Sequence, residues 1–224
     1  MILQCSNITK SFRQGDKEIQ ILKEVDFELP RGKTAAILGK SGSGKTTLLS
    51  ILSGIEKVDS GHILFQNKDI SKLSEKQLTK IRSKNMGVIF QQFHLIEHLS
   101  AIENVLLPLE ILKSSDALNK AKELLSKVGL SHRLDHFPSQ LSGGEKQRVA
   151  IARAMAIDPS LLLADEPSGS LDEETGKLVM DLLFDLVSKN EMSLILVTHE
   201  ESLAKRCDTI YRLESGILVQ SENT

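Results

Sequence analysis

The chain is 224 residues long, 40% hydrophobic and 26% charged, which suits one sizeable α/β domain or a core carrying an inserted subdomain and excludes a disordered polypeptide. Its net charge of −2 lacks the basic surplus expected of a protein whose main partner is nucleic acid. Two cysteines, Cys5 and Cys207, give no disulfide framework, and no apolar run approaches the roughly 18–20 residues of a membrane span.

Residues 1–12 alternate apolar and polar side chains with no basic stretch leading into an apolar one, which reads as a strand and not as a signal peptide. Strands are predicted over 19–22 and 25–29, a turn at Pro30-Arg31-Gly32, and a buried parallel strand over 34–38. The pattern is then helical from Gly44 to about Leu52, extended around 62–65, helical from Ser74 to about Lys84 and extended over 87–90. From 91 to about 156 it turns mostly helical, with helical spacing over 101–112, 116–128 and 144–156 and turns at Gly129 and Pro138. The most apolar part of this region, 105–112, is interrupted by Pro108 and Glu110. A strand over 161–164, a helix over 173–189, a strand over 194–198, a short helix over 201–206 and a hairpin turning at Gly216 follow. No internal repeat is visible.

GKSGSGKT, residues 39–46, fits G-x-x-x-x-G-K-[ST] at every fixed position and lies between a predicted strand and a predicted helix, the context that distinguishes a phosphate cradle from a surface turn. Gly39, Lys40, Ser41, Gly42, Ser43 and Gly44, with Thr46 and Thr47 opening the helix, can turn backbone N–H groups inward on phosphates. Lys45 would reach the β- and γ-phosphates of ATP, and the Thr46 hydroxyl would face Mg²⁺. LLLADEP, residues 161–167, delivers Asp165 to the Mg²⁺ shell and Glu166 as a group that polarises an attacking water. His199, after the strand 194–198, either touches the γ-phosphate or serves as a structural hydrogen-bonding group. Gln91 can bridge a metal and a moving segment or simply cap its strand; Phe12 can stack an adenine or only pack. His94 with His98, and His132 with His136, have i,i+4 spacing but lie outside the clear helical segments, which argues against a metal cluster. Finally LSGGEKQRVA, residues 141–150, places a second glycine-rich turn before a basic amphipathic helix, far from the first cradle.

Together these residues resemble the ATP-binding cassette (ABC) family over nearly the whole chain. GKSGSGKT is similar to the family's Walker A loop, LLLADEP to Walker B with its catalytic glutamate, and LSGGE to the signature sequence. By the same resemblance Gln91 is the Q-loop glutamine, Asp172 belongs to the D-loop, His199 is the switch histidine and Phe12 the adenine-stacking aromatic. The resemblance implies a P-loop NTPase (RecA-like) core with an N-terminal antiparallel β subdomain, covering 1–90 and 157–224, and an inserted α-helical signature subdomain over 91–156. It also implies a homodimer formed on ATP binding, in which Ser142, Gly143, Gly144 and Glu145 meet the partner copy's ATP, while Thr46, Gln91 and Asp165 hold Mg²⁺. Integral membrane permease subunits would be the partners, at the cytoplasmic face of the cell membrane.

FQQFHLIEHLSAIENVLLPLE and HRLDHFPSQLSGGEKQRVAIARA resemble the lipoprotein-release and macrolide-export branch of the family. A cell-division type of membrane machine lies close to this branch, and a soluble cassette acting on ribosomes or DNA is a more distant alternative. Two departures stand out: Glu145 where many members have Gln, and SGSLD where TGNLD is usual, the latter retaining Asp172.

Overall fold

The computed structural model describes residues 1–15 and 17–221. In chain order the elements are β1 (Leu3–Gln14), β2 (Lys17–Leu29), β3 (Thr34–Leu38), α1 (Lys45–Leu52), β4 (Ser60–Phe65), β5 (Lys68–Asp69) and α2 (Glu75–Asn85). They continue with β6 (Met86–Ile89), α3 (Ala101–Ile111), α4 (Ala117–Lys127), a 3-10 turn at Pro138–Gln140, α5 (Gly143–Met155), β7 (Leu161–Asp165) and α6 (Glu173–Lys189). The last are β8 (Ser193–Thr198), α7 (Glu201–Ala204), β9 (Thr209–Glu214) and β10 (Ile217–Ser221). Two compact units emerge, Met1–Arg82 with Met192–Thr224, and Ser83–Glu191. The helical stretch 91–156 falls inside the second unit, which also carries β6, β7 and α6.

In the first unit an antiparallel sheet runs in the order β2-β1-β4-β5. A second, mixed sheet runs β10-β9-β3-β8, with β3 parallel to both β8 and β9 and a closing antiparallel hairpin. β3 is buried over Ala35–Leu38 and β8 along its whole length, which is why both read as short apolar runs with no alternation. The separate strands predicted over 19–22 and 25–29 are one strand, β2. Their apparent break is a bulge: pairing steps from Ile8↔Val25 to Lys10↔Leu22, so three residues of β2 oppose two of β1, and Glu24 sits at φ 49°. The extra residue resets which side chains face inward and imitates a strand end in the sequence.

In the second unit β6 and β7 pair in parallel, and α3, α4 and α5 pack on one another, with α6 against α5. The buried faces are Ile102, Val105 and Leu109 of α3, Ala121, Leu124 and Leu125 of α4, and Val149, Ala150 and Ile151 of α5. The three- and four-residue spacing in α3 and α4 is that of amphipathic helices, whereas α5, buried over the consecutive residues 149–152, is enclosed on more than one face.

Among the described residues no helix is long and apolar enough to cross a membrane. Both cysteines are free and buried. Burial pushes the Cys5 thiol far up and that of Cys207 up to about 12, so both stay protonated and unreactive.

Candidate functional site

In the first unit, parallel pairing sets Leu38 of β3 level with Thr198 of β8. The next residues, Gly39 and His199, therefore leave two buried strands side by side at their carboxyl ends, where α/β folds gather ligands. α1 starts at Lys45, with Gly44 as N-cap at φ 102°, a conformation open to glycine and closed to most other residues. Gly44 brings no side chain to cap this helix, and a helix N-terminus of that kind suits an anion.

Lys45 is only 6% exposed; its ammonium curls back and donates to the carbonyls of Gly39 at 2.8 Å and Lys40 at 3.1 Å. Lys40, Ser41, Gly42 and Thr46 are exposed, and Gly39, Ser43, Gly44 and Thr47 are half-buried. The Ser43 hydroxyl is buried without a hydrogen-bond partner among the described residues. An orphaned hydroxyl inside a loop of this shape suits a phosphate oxygen.

Phe12 is 42% exposed and faces Ile19 across the β1–β2 ladder. Two residues further along β2, Ile21 packs on the loop, with its Cγ2 2.9 Å from where a β-carbon on Gly44 would sit. The ring thus stands roughly 7 Å along the strand from the phosphate loop's support. The first unit brings together Phe12, the loop 39–47 and His199.

In the second unit the register of β6 and β7 sets Ile89 level with Ala164. Two residues on from each stand Gln91 and Glu166, so the ladder itself carries these side chains to the same edge. They share a neighbour. The Gln91 Nε2 lies 2.8 Å from where a β-carbon on Gly169 would be, and the Gly169 N–H donates to the Glu166 carbonyl at 2.9 Å. Glu166 adopts φ 44° immediately before Pro167, a left-handed conformation that costs on the order of 1–3 kcal/mol for a residue with a side chain. Asp165, the last residue of β7, and Glu166 are both half-buried.

The signature turn is the N-terminus of α5. The Ser142 hydroxyl accepts from the Glu145 N–H at 3.2 Å, and the Glu145 carboxylate accepts from the Ser142 N–H at 2.8 Å, a reciprocal capping box. The second carboxylate oxygen takes the Arg133 Nε–H at 2.9 Å. The Ser142 amide first, then Arg133, hold this carboxyl below the usual glutamate range. Gly144 has no room for a β-carbon, which would overlap Cγ2 of Thr175, and one on Gly143 would approach Leu171 at 3.1 Å. The glycines of the signature therefore lie directly against the start of α6. Asp172 caps that helix, accepting from the Thr175 N–H at 3.0 Å, and these bonds lower its pKa.

Sequence reasoning passed over two side chains that shape the segment after Gln91. Arg153 of α5 donates to the carbonyls of His94 at 2.6 Å and Phe93 at 2.9 Å, both residues being left-handed at φ 48° and 59°. Asn104, with no exposed surface, accepts from the Ile96 N–H at 2.8 Å and donates to the carbonyls of Ile96, Leu99 and Ser100. A polar residue on the apolar face of α3 was the one available signal. The four histidines weighed as ligands lie outside helices: His94 stacks on Phe90 with centroids 4.7 Å apart, and His136 Nε2 contacts Arg133 at 3.0 Å.

The resemblance to ATP-binding cassettes carried by the motifs around these residues is matched by comparison with known proteins. The chain belongs to the ABC transporter family, whose sequence model matches residues 22–169. It is 43% identical over 221 residues to the lipoprotein-releasing system ATP-binding protein LolD of Francisella tularensis, spanning 97% of this chain and 96% of that protein. It is 46% identical over 219 residues to the uncharacterized ABC transporter ATP-binding protein YbbA of Escherichia coli, with 97% and 96% coverage. Among solved structures it superposes with a TM-score of 0.90 on the dimeric post-hydrolysis state of the ATP-binding cassette MJ0796 bound to ADP and Pi. That pair shares 36% identity over 99% of this chain and 100% of the other. The chain is thus an ABC ATPase, the ATP-binding subunit of a transporter, built on the P-loop NTPase fold with an antiparallel β subdomain.

Proposed function

We propose that this ATPase powers a lipoprotein-release type of machine, in which two copies close head to tail on ATP and drive permease subunits that extract or export a membrane-held substrate. The observation that carries the two-copy reading is the commitment of Glu145. Its carboxylate is engaged by the Ser142 N–H and Arg133, which mutes the negative charge in the first turn of α5 that would oppose a triphosphate. The amides of Gly143 and Gly144 and the Ser142 hydroxyl can then serve the nucleotide of the partner copy, while Gly39–Thr47 serves the chain's own.

In this reading Phe12 stacks on the adenine, and Lys45 with the loop amides takes the β- and γ-phosphates. By the family resemblance Thr46, Gln91 and Asp165 are the residues that would hold Mg²⁺, each offering an oxygen of the kind that ion takes, and the ion would neutralise phosphate charge. Glu166 accepts a proton from the attacking water, and His199 fixes the γ-phosphate geometry. Asp172 belongs to the loop facing the partner copy. Loss of the γ-phosphate removes the bridge between copies and lets them separate. Gln91 and the segment that follows it relay the change to the permease, at the cytoplasmic face of the inner membrane. The near-full-length likeness to a lipoprotein-releasing ATP-binding protein supports the choice of substrate class.

The test is complementation between two inactive chains. Ser142→Arg blocks the signature and Lys45→Ala the P-loop, and each variant alone is expected to be inactive. Mixed, they form one competent site from the intact P-loop of one and the intact signature of the other, and hydrolysis returns. Mixed dimers without activity would overturn the composite site. In vesicles holding the permease, ATP-dependent release of an acylated protein tests the substrate class, and ATP hydrolysis without such release rejects it.

A further inference from the structure

Phe12 carries a cation on one face of its ring. Lys10, two residues earlier on β1, places its ammonium over the ring, 4.9 Å from the centroid. The Lys10 side chain is 9% exposed, unusual for a lysine, and three oxygens fix its head: Glu56 Oε1 at 2.6 Å, the Lys57 carbonyl at 2.8 Å and Asp59 Oδ1 at 3.5 Å. Those oxygens belong to the turn that follows α1, tied to that helix by the Ile55 and Glu56 N–H groups, which donate to the Ser50 carbonyl at 2.9 and 3.1 Å. One continuous path therefore runs from the phosphate loop through α1 and the turn 55–59 to Lys10 and the ring. The hydrocarbon stem of the lysine is enclosed and its charge fully directed, so the ring's covered face is set while 42% of the residue stays open.

We propose that Lys10 is a positioning residue for the nucleotide base. It locks the Phe12 ring at a fixed spacing from the phosphate loop. It also draws π-electron density toward its own face, which strengthens stacking of an electron-rich purine on the other. The inference rests on the reading of Phe12 as the base-stacking residue and adds the group that makes the ring a rigid, polarised platform. An ammonium held by carboxylates and a carbonyl for structural reasons alone would have no influence on which part of the nucleotide is bound.

The test uses the full chain, with a fluorescent ATP analogue labelled on its ribose displaced by ATP or by inorganic triphosphate. Lys10→Met keeps the stem and removes the charge; it is expected to weaken ATP about three- to tenfold and leave inorganic triphosphate unchanged. Lys10→Arg restores a cation over the ring and brings ATP affinity back to within about twofold. Phe12→Ala weakens ATP at least as much, and adding Lys10→Met to it causes no further loss. Should Lys10→Met fail to fold, Glu56→Gln loosens the ammonium and is expected to weaken ATP about two- to threefold, again without effect on triphosphate.

Four outcomes overturn the proposal, and they are distinguishable. Unaltered ATP affinity in Lys10→Met, or in Glu56→Gln, with Phe12→Ala weakened, removes Lys10 and keeps Phe12. Equal weakening of ATP and triphosphate reveals general damage to the phosphate loop. A Lys10→Met effect that persists in the Phe12→Ala background means that the lysine acts elsewhere. ATP affinity unaltered by Phe12→Ala removes the base-stacking reading and Lys10 with it.

Discussion

Glu145 and Arg133 hold each other at 2.9 Å, twelve residues apart in sequence, while the second oxygen of the same carboxylate closes the capping box on Ser142. The glutamate is therefore part of the scaffold that presents the α5 amides. This accounts for a negative charge in the first turn of a helix whose amides, in the proposed reading, meet a triphosphate. A glutamine could keep the capping box but could not form the ion pair.

The Ser142 amide, and after it Arg133, make stability depend on pH in a defined direction. The folded state lowers the Glu145 pKa, so its contribution is present above the unfolded value of about 4.3 and is lost as pH falls through the folded one. Glu145→Gln should cost about 0.5–1 kcal/mol at pH 7, a value kept small because Arg133 is partly exposed. Urea unfolding of wild type and variant should show the gap closing as the wild-type carboxylate protonates. A gap undiminished well below pH 4 would remove the ion pair as its cause.

Glu166 gives the second prediction. Its left-handed backbone before Pro167 maintains a strained geometry at the end of a buried strand, an arrangement met where side-chain direction matters more than local stability. Glu166→Gln preserves shape and removes the proton acceptor, so hydrolysis should slow by roughly 10²–10⁴ while ATP still binds. Two copies should then remain associated in the presence of ATP, as size-exclusion chromatography reads directly. Near-normal turnover would assign the proton acceptor to another group.

Gly144 and Thr175 give the third. Glycine to alanine inside a helix ordinarily stabilises by about 1 kcal/mol. Here the new β-carbon overlaps the Thr175 methyl, and Gly144→Ala should instead destabilise by about 1–3 kcal/mol. Thr175→Ser removes only that methyl. The double variant should recover the loss, and thermal melts of the four proteins form a closed cycle. Failure of serine to rescue would mean that the close approach involves more than this one contact.

The parts of the molecule legible in sequence were those encoded contiguously. The glycine-rich loop 39–46 lies in one run, and β3 and α1 flanking it are read from their own residues. Asp165 and Glu166 follow from an apolar strand ending in acids. What escaped notice depends on partners far along the chain. The ion pair of Glu145 requires Arg133, and the bulge at Glu24 mimics a strand boundary because alternation is the only strand signal available. Lys10 reads as an ordinary exposed lysine, since the turn 56–59 that encloses it lies more than forty residues away. Asn104 and Arg153 act on backbone carbonyls, which carry no residue identity for a sequence pattern to register.

Arg153 carries the last prediction. The segment after Gln91 turns through two consecutive left-handed residues, Phe93 and His94, and their carbonyls converge on one guanidinium. Burial lowers the Arg153 pKa, yet a guanidinium remains charged at any working pH, so both bonds are charge-assisted. Hydrogen bonds of that kind are worth about 1.5–3 kcal/mol, which is the local stability that Arg153→Met should remove from residues 92–95. Amide exchange there should accelerate by roughly ten- to a hundredfold, the same energy expressed as an opening equilibrium. The N-terminal turn of α5, held separately by Ser142 and Glu145, should exchange as before. Arg153→Lys should fall between the two, since a single ammonium reaches the carbonyls but cannot fork across them as a planar guanidinium does. Unchanged exchange over 92–95 in Arg153→Met would show that the left-handed pair holds itself in place, and the arginine would then be a passenger of the turn.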